Sequence, residues 1–211
     1  MAERLLLAQL ARAPVEGRVK TRLQPALSTT EATRLHSAMV EHTCRMLCDC
    51  SSGEVQLWID GDVDDPLFIR CQGLGDLTLH RQQGDDLGQR MSLICQRGLA
   101  VHRAVVLVGS DAPTLDKAYI HAACAALQRV DAVVGPALDG GYVLIGLSRE
   151  IPDLFVDMPW GTDEVLRKTV ETLERGGLSF ELLQPLPDID RPDDLRFLPD
   201  ELRTAALSHG A

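Results

Sequence analysis

Five short apolar runs are spaced along this 211-residue chain, and the longest of those that are apolar at every position is Val105–Val108. A strand with one exposed face alternates apolar and polar residues, so a uniformly apolar run indicates a strand that is buried on both faces. Such strands are typical of parallel sheets with helices packed on either side. The other four runs are Leu5–Leu7, Val55–Ile59, Leu77–Leu79 and Ala132–Val134.

Amphipathic segments lie between these runs and predict helices. Ser28 and Glu31 have the spacing of a capping box, which marks the start of the first long helix. Thr162 has the position of a cap for a later helix that Gly176 would end. Strands that alternate with helices form right-handed βαβ units and a mostly parallel sheet. The segment Tyr142–Leu147 follows a tight turn and predicts an antiparallel strand.

Charge is distributed unevenly along the chain. The net charge is −10, yet the first 24 residues carry +3 and the remainder −13. This acidity argues against binding of nucleic acid, which requires a broad basic face, whereas a small cationic patch suits a small anion. We therefore predict a single α/β domain over residues 1–211, a Rossmann-like three-layer sandwich that binds a small anionic molecule.

The cysteines and the first residues favour a cytoplasmic protein. The apolar stretch at the start is too short for a signal peptide, and no membrane anchor is visible. We therefore expect reduced thiols. Cys44, Cys48 and Cys50 have a spacing close to that of metal ligands, but no second Cys/His pair follows at zinc-finger distance. Buried or incidental thiols are the favoured interpretation.

The loop after the first strand carries three cations at alternate positions, Arg18, Lys20 and Arg22, directly after Gly17. In open α/β sheets, ligands bind beyond the carboxyl ends of the strands. If this loop is extended, alternation points all three cations to one side, where each can bind a phosphate. A solvated basic turn is the alternative, but three cations within five residues of an acidic protein favour anion binding. The loop has neither the P-loop pattern nor the dinucleotide fingerprint.

Asp111 follows the uniformly apolar strand and precedes Pro113. A carboxylate at a strand end beside bound phosphates is what Mg²⁺ or Mn²⁺ requires. These ions take one or two protein oxygens and complete their shell with phosphate and water. The alternative is a cap on the helix that follows, a common role of aspartate. The residues alone leave both roles open.

Asp139 precedes paired glycines, Gly140 and Gly141, ahead of the predicted antiparallel strand. This sequence suits a tight turn, because aspartate and glycine both tolerate positive φ. A turn needs no further function. Paired glycines also allow a ligand to approach the backbone closely, so a binding role stays open as well.

Four segments together resemble an uncharacterised bacterial transferase family of the nucleotide-diphospho-sugar transferase (GT-A) superfamily, of the type labelled arsenosugar-biosynthesis glycosyltransferases. They are GRVKTRLQP (17–25), GSDAP (109–113), GPALDGGYVLIGL (135–147) and DIDRPDDL (188–195). The resemblance covers nearly the whole chain, from Leu5 to Leu195. It implies a Rossmann-like sheet that binds a nucleotide across its carboxyl edge, with Mg²⁺ or Mn²⁺ as cofactor.

The resemblance also implies roles for single residues. Asp111 would occupy the metal-binding acidic position, although the segment has one carboxylate where the superfamily has Asp-x-Asp. The second protein ligand would be Asp190 or Asp139. Arg90 would reach the nucleotide, with an exposed helix residue as the alternative. Trp160 would wall the acceptor pocket, with a core tryptophan as the alternative.

Two reactions compete as the function. The first is transfer of a sugar from a nucleotide-diphosphate donor to a small acceptor, with Asp139 orienting or deprotonating the acceptor. The alternative is a nucleotidyltransferase that joins a nucleoside triphosphate to a phosphorylated small molecule and releases pyrophosphate. A nucleotide-binding regulatory module without catalysis is a third hypothesis. The predicted site residues are Asp111, Asp139 and Lys20 for catalysis, Gly17, Arg18, Lys20, Arg22 and Arg90 for the nucleotide, Gly140, Gly141 and Trp160 for the acceptor, and Asp111 and Asp190 for the metal.

Overall fold

The computed structural model describes residues 4–50 and 53–207, which contain one seven-stranded sheet. The strand order is β3-β2-β1-β4-β6-β5-β7, and β6 is antiparallel to both of its neighbours while the other neighbours pair in parallel. The strands are β1 (Leu5–Arg12), β2 (Gly53–Asp60), β3 (Leu77–Arg81), β4 (Ala104–Val108), β5 (Ala132–Pro136), β6 (Tyr142–Leu147) and β7 (Phe180–Leu182). The helices are α1 (Thr29–Cys48), α2 (Pro66–Gln72), α3 (Leu87–Leu99), α4 (Lys117–Ala126), α5 (Val165–Arg175) and α6 (Asp200–Leu207).

Helices cover both faces of the sheet, which confirms the predicted three-layer α/β architecture. All five residues of β4 are buried, as its uniformly apolar sequence predicts. In β1, Leu5 and Leu7 pack in one core with α1, α2 and α4. Leu6 and Ala8 pack on the opposite face with α3 and α5. Successive side chains of a strand point to opposite faces, so each residue of a central strand meets a core.

The antiparallel strand is confirmed, but its place in the sheet is not evident from sequence. Five residues connect β5 to β6, and a connection this short closes a hairpin rather than a parallel crossover, which takes a dozen residues or more. The hairpin places β6 between β4 and β5, inside the sheet. Sequence patterns missed β7, which has three residues, and the short helices α2 and α6.

Capping was predicted correctly for one helix and wrongly for another. The Ser28 side chain accepts a hydrogen bond from the Glu31 backbone, and the reciprocal bond completes the capping box of α1. Thr162 does not cap α5, which begins three residues later at Val165. The Thr162 hydroxyl instead donates to the carbonyl of Pro159 at 2.8 Å. Gly176 does end the helix, as predicted.

A third, smaller core lies on the outer side of α1. Leu35 and Met39 of this helix pack against Leu23 of the basic loop and against Ile189 of the C-terminal segment. These four side chains are fully buried. The third core therefore holds two segments together that are more than 160 residues apart in sequence, and both of them carry predicted site residues.

The cysteines have free thiols, and five of the six are buried. Burial raises the pKa of Cys95 to about 12 and that of Cys124 to about 11, so both stay protonated near neutral pH. These positions fit the interpretation as packing residues. No helix within the two described ranges is long and apolar enough to cross a membrane.

Candidate active site

Two adjoining depressions lie at the carboxyl edge of the sheet. The first has a volume of 570 Å³ and the second 340 Å³. Both contain a shared strip of residues, made of Leu10, Arg22, Leu87, Gly109, Asp111 and Asp190. The predicted cations Arg18, Lys20, Arg22 and Arg90 line the first depression, whereas Asp139, Gly141 and Trp160 line the second. The fold thus brings together segments that are distant in sequence and that sequence analysis had singled out.

The basic loop is coiled rather than extended. Gly17 has a φ of 76° and Lys20 a φ of 49°, and a 3-10 helix, Thr21–Leu23, follows directly. The coil buries Leu23 completely in the third core. The alternate spacing of the cations would point them to one side only in an extended loop, so it does not do so here. Arg18, Lys20 and Arg22 nevertheless all line the first depression. A left-handed backbone conformation costs about 1–2 kcal/mol at a residue other than glycine, so packing must hold Lys20 in this conformation.

Lys20 and Asp111 form an ion pair at the centre of the site. The Lys20 Nζ lies 2.7 Å from the Asp111 Oδ1, and it also donates to the carbonyl oxygen of Ile189. The Lys20 side chain is 4% exposed, whereas that of Asp111 is 54% exposed. Partial burial of the Asp111 carboxyl opposes ionisation, but the charge and hydrogen bond of Lys20 outweigh it and hold the pKa of Asp111 below its usual value. Asp111 is therefore an ionised carboxylate that faces the depression.

The alternative role of Asp111 as a helix cap is wrong. The residue that caps α4 is Asp116, whose side chain accepts from the Tyr119 backbone N–H at 2.8 Å. Asp111 lies five residues earlier, in the loop that leaves β4. This loop is fixed to its neighbour, because the Asp111 carbonyl accepts from the Ile189 N–H at 2.8 Å.

A buried polar network supports this loop from behind. The Gln9 side chain donates to Ser110 Oγ at 2.9 Å, and Ser110 Oγ donates to the Leu10 carbonyl at 3.0 Å. Cys44 donates from its thiol to Gln9 Oε1. Sequence analysis missed this support, although Gln9 was a readable signal as a polar residue inside an otherwise apolar strand.

The C-terminal acidic segment adds a residue that sequence analysis did not single out, Asp188. Asp188 and Asp190 both line the second depression, and the buried Ile189 between them anchors the segment. Asp190 accepts from Arg22 at 2.8 Å. Burial, reinforced by the negative charges of Asp139 and Asp111, raises the pKa of Asp188 to about 6. The carboxylates are therefore close enough to repel one another.

This donor set fits a divalent cation that shares its shell with phosphate. Carboxylate oxygens are the preferred ligands of Mg²⁺ and Mn²⁺, and a cation would offset the repulsion that adds to burial in raising the Asp188 pKa. Within the described residues, no three His, Cys, Asp or Glu side chains form a group that could hold a metal by themselves. A site with one or two protein carboxylates requires no such group, because phosphate and water supply the other ligands.

Arg90 points into the first depression. Its guanidinium lies 2.9 Å from Asp60, its side chain is 24% exposed, and Arg12 binds the same carboxylate oxygen at 3.2 Å. Burial opposes ionisation of Asp60, but the two arginines lower its pKa below the usual value. Asp60 was not predicted as a site residue. Asp60 is the last residue of β2 and Arg12 is the last residue of β1. The two residues are paired across these parallel strands, which brings their side chains together.

The Asp139 turn has the predicted local structure and also faces the second depression. Its side chain accepts from the Gly141 N–H at 2.8 Å. Gly141 lines the depression, whereas Gly140 packs against the backbone of Asp163. Trp160 is half-buried and meets Tyr142 edge to face, with ring centroids 6.3 Å apart.

Comparison with known proteins gives one family and several similar structures. A family model described as "Uncharacterized protein conserved in bacteria (DUF2064)" matches residues 43–162. A structure from Desulfovibrio desulfuricans G20, named as a candidate nucleotide-diphospho-sugar transferase, is 32% identical with a TM-score of 0.81 and covers 90% of this chain and 84% of its own. Among curated proteins, none matches this chain.

Two more distant structures are similar in fold. CMP:2-keto-3-deoxy-manno-octonic acid synthetase complexed with CTP is 12% identical, with a TM-score of 0.57 over 92% of this chain and 96% of its own. Rv0371c from Mycobacterium tuberculosis H37Rv, in complex with manganese, is 18% identical, with a TM-score of 0.54 over 93% of this chain and 98% of its own. At these identities the similarity shows the shared fold alone.

Proposed function

Because the chain belongs to the bacterial DUF2064 family and is similar over most of its length to a candidate nucleotide-diphospho-sugar transferase, we propose that it is a metal-dependent glycosyltransferase. The donor would be a nucleotide-diphosphate sugar and the acceptor a small molecule. The observation that carries the proposal is the Lys20–Asp111 ion pair beside the strip that two depressions share. Among the described residues, cations and carboxylates line the first depression in equal number, whereas carboxylates predominate in the second. A diphosphate and an acceptor placed in the two depressions would meet there.

The first depression would hold the nucleotide. Arg18, Lys20 and Arg22 would bind the diphosphate after the turn at Gly17, and charge-assisted bonds from such groups contribute about 1.5–3 kcal/mol each. Arg90 would contact the rest of the nucleotide. Lys20 and Arg22 are held in place by Asp111 and Asp190 before the reaction, so they would stabilise the negative charge of the leaving group with little reorganisation.

The metal would lie at the shared strip. Asp111 and Asp190 would hold Mg²⁺ or Mn²⁺, which when bound acts as a Lewis acid toward the diphosphate. The manganese complex of Rv0371c supports a divalent ion in this fold. The Asp111 carboxylate is ionised because Lys20 lowers its pKa, so it is in the form that binds a cation.

Asp139 would serve the acceptor. The acceptor hydroxyl oxygen would form a bond to the anomeric carbon of the sugar as the bond between that carbon and the phosphate oxygen breaks. The nucleoside diphosphate would leave with the bonding electrons. The hydroxyl proton would pass to a carboxylate of the second depression, either Asp139 or Asp188, both of which line it.

Nucleotidyl transfer is the second candidate, and the fold shared with a synthetase complexed with CTP favours it. Nearly the same residues would serve, since both reactions build negative charge on a phosphate beside a metal. The two differ in their products, pyrophosphate against nucleoside diphosphate. The arsenosugar-biosynthesis type and a cytoplasmic location stay predictions from sequence.

A donor panel tests the proposal. With Mn²⁺ present, UDP- and GDP-sugars are compared with CTP and GTP by thermal shift and by assay of released nucleoside diphosphate or pyrophosphate. A ligand at 100 times its Kd adds about 2.7 kcal/mol, which for a chain of this size raises the Tm by about 5–10 °C. We expect this shift and turnover with a nucleotide sugar. Pyrophosphate release from a triphosphate would replace the proposal with nucleotidyl transfer, and no binding of any donor would overturn both.

A matched pair of variants tests the role of Asp111. Asp111→Asn should abolish the Mn²⁺ dependence of the donor shift and lower turnover at least 100-fold, since one electrostatic group at a reacting phosphate contributes about 10²–10³. Asp116→Asn is the control, because asparagine also caps helices and Asp116 caps α4. Unchanged turnover of Asp111→Asn would rule out the proposed metal role.

A further inference from the structure

The second depression differs chemically from the first, and the difference bears on the acceptor. Its floor is the buried apolar surface of the sheet, including Leu107, Val143 and Ile145. One wall is the edge-to-face pair of Tyr142 and Trp160. Aromatic walls over an apolar floor bind apolar or ring-bearing molecules, because such molecules leave water on binding and stack on the rings.

The charges around this depression are mostly negative. Asp111, Asp139, Asp188 and Asp190 line it, and among the described lining residues Arg22 is the only cation. Arg22 is already bound to Asp190 at 2.8 Å. A phosphorylated acceptor would bring about two negative charges at neutral pH against Asp139 and Asp188, the two carboxylates that the proposed metal does not use. Like charges placed together disfavour binding strongly.

The volume limits the size of the ligand. The depression holds 340 Å³, which is near the lower end of small-molecule pockets, at about 300–1,000 Å³. The shared strip with Asp111 lies at one side of it, and the Tyr142–Trp160 pair belongs to the second depression alone. A ligand with a polar end and an apolar end would therefore bind in one orientation, with its polar end at the carboxylates.

From these observations we propose that the acceptor is a small, non-phosphorylated molecule with an apolar or aromatic body and a free hydroxyl group. This inference rests on the glycosyltransferase function proposed above. The hydroxyl lies beside Asp139 and Asp188, and the body packs against Trp160. The hydroxyl oxygen forms the new bond to the anomeric carbon, its proton passes to a carboxylate, and the nucleoside diphosphate leaves with the electrons of the broken bond.

A matched pair of probes tests the inference on the whole chain. Saturation-transfer NMR measures binding of 2-phenylethanol and of its phosphate ester, 2-phenylethyl phosphate, each at millimolar concentration. We expect the alcohol to bind at least about tenfold more tightly than the ester, which corresponds to about 1.4 kcal/mol. Equal or tighter binding of the ester, or no binding of the alcohol, would overturn the inference.

Variants locate the probe. Trp160→Ala should weaken binding of the alcohol at least about fivefold, whereas Trp160→Phe, which keeps a ring, should change it less than about twofold. Leu87→Lys adds a cation at an exposed position of the shared strip, so the variant should fold. It should also reduce the ratio of the affinity for the alcohol to that for the ester, because the new cation attracts the phosphate. Trp58→Phe is the control, because Trp58 packs against His80 and does not line the depression. If Trp160→Ala leaves the affinity for the alcohol unchanged, the probe binds elsewhere and the inference is refuted.

The donor panel separates this inference from the proposed function. If a nucleotide sugar binds and the alcohol does not, the acceptor class is wrong while the glycosyltransferase proposal stands. If the alcohol binds at Trp160 and no nucleotide sugar does, the proposed function fails, and the apolar site belongs to a different reaction.

Discussion

Replacement of Lys20 by methionine is the sharpest test of the site, because one substitution removes an ion pair and a hydrogen bond while keeping the length of the side chain. The Lys20 ammonium is buried and binds both the Asp111 carboxylate at 2.7 Å and the Ile189 carbonyl. Breaking a fully buried pair costs about 3–5 kcal/mol and a surface pair about 0–1 kcal/mol. Asp111 is half exposed, so we expect a coupling energy of about 1–2 kcal/mol between the two side chains.

The hydrogen bond to the Ile189 carbonyl adds about 1 kcal/mol, so Lys20→Met should lower the free energy of unfolding by about 2–3 kcal/mol in all. The assay is urea denaturation of the wild type, Lys20→Met, Asp111→Asn and the double variant. Arg18→Met is the matched control, because Arg18 is an exposed cation of the same loop and makes no ion pair within the described residues. Additive effects of the two substitutions, within about 0.5 kcal/mol, would refute the coupling.

The same pair predicts a pH dependence. Lys20 lowers the pKa of Asp111 in the folded chain, so the stabilisation is complete above the ordinary aspartate pKa of about 3.9 and is lost as the pH falls through the lower, folded-state pKa. Lys20→Met should therefore flatten the acid limb of the stability curve. An acid limb as steep as that of the wild type would show that Asp111 is not held ionised by Lys20.

Three further predictions concern the surrounding fold. Gly140→Ala should lower the free energy of unfolding by about 2–4 kcal/mol, because the new Cβ would lie 2.4 Å from the Asp163 backbone at a φ of +92°. Gly161→Ala should cost only about 1 kcal/mol, because its φ of +79° is similar but the space around it is open. Equal urea midpoints of the two variants would contradict this. Asp116→Ala should cost about 1 kcal/mol by removing the cap of α4, and circular dichroism with urea would show whether it does. Burial lowers the pKa of His36, so the folded chain disfavours the protonated ring and loses stability as the pH falls below about 6.5. His36→Gln should reduce that loss, and an unchanged slope between pH 5 and 6.5 would contradict the assignment.

Much of the architecture was predictable because local sequence patterns carry it. The apolar run of β4 and the capping box at Ser28 depend on residues within a few positions of each other, and the structure confirms both. Parallel strands share a carboxyl edge, so Lys20 and Asp111 were expected near one place without any knowledge of their contact. The extended form of the basic loop was a wrong expectation, because burial of Leu23 depends on a distant core.

The sequence by itself determined the α/β class and the chemical types of the site, since strand periods, caps and the residues that follow each strand are local properties. Only the tertiary structure decided which charges meet. Lys20 pairs with Asp111 across 91 positions and Arg22 with Asp190 across 168. It also decided that Asp60 and Asp188 belong to the site and that a depression with an apolar floor and a carboxylate rim adjoins one that carries most of the predicted cations. Coulomb energies and burial depend on distances in space. The order of the strands and the packing of the third core set those distances, and the spacing of residues along the chain does not contain that information.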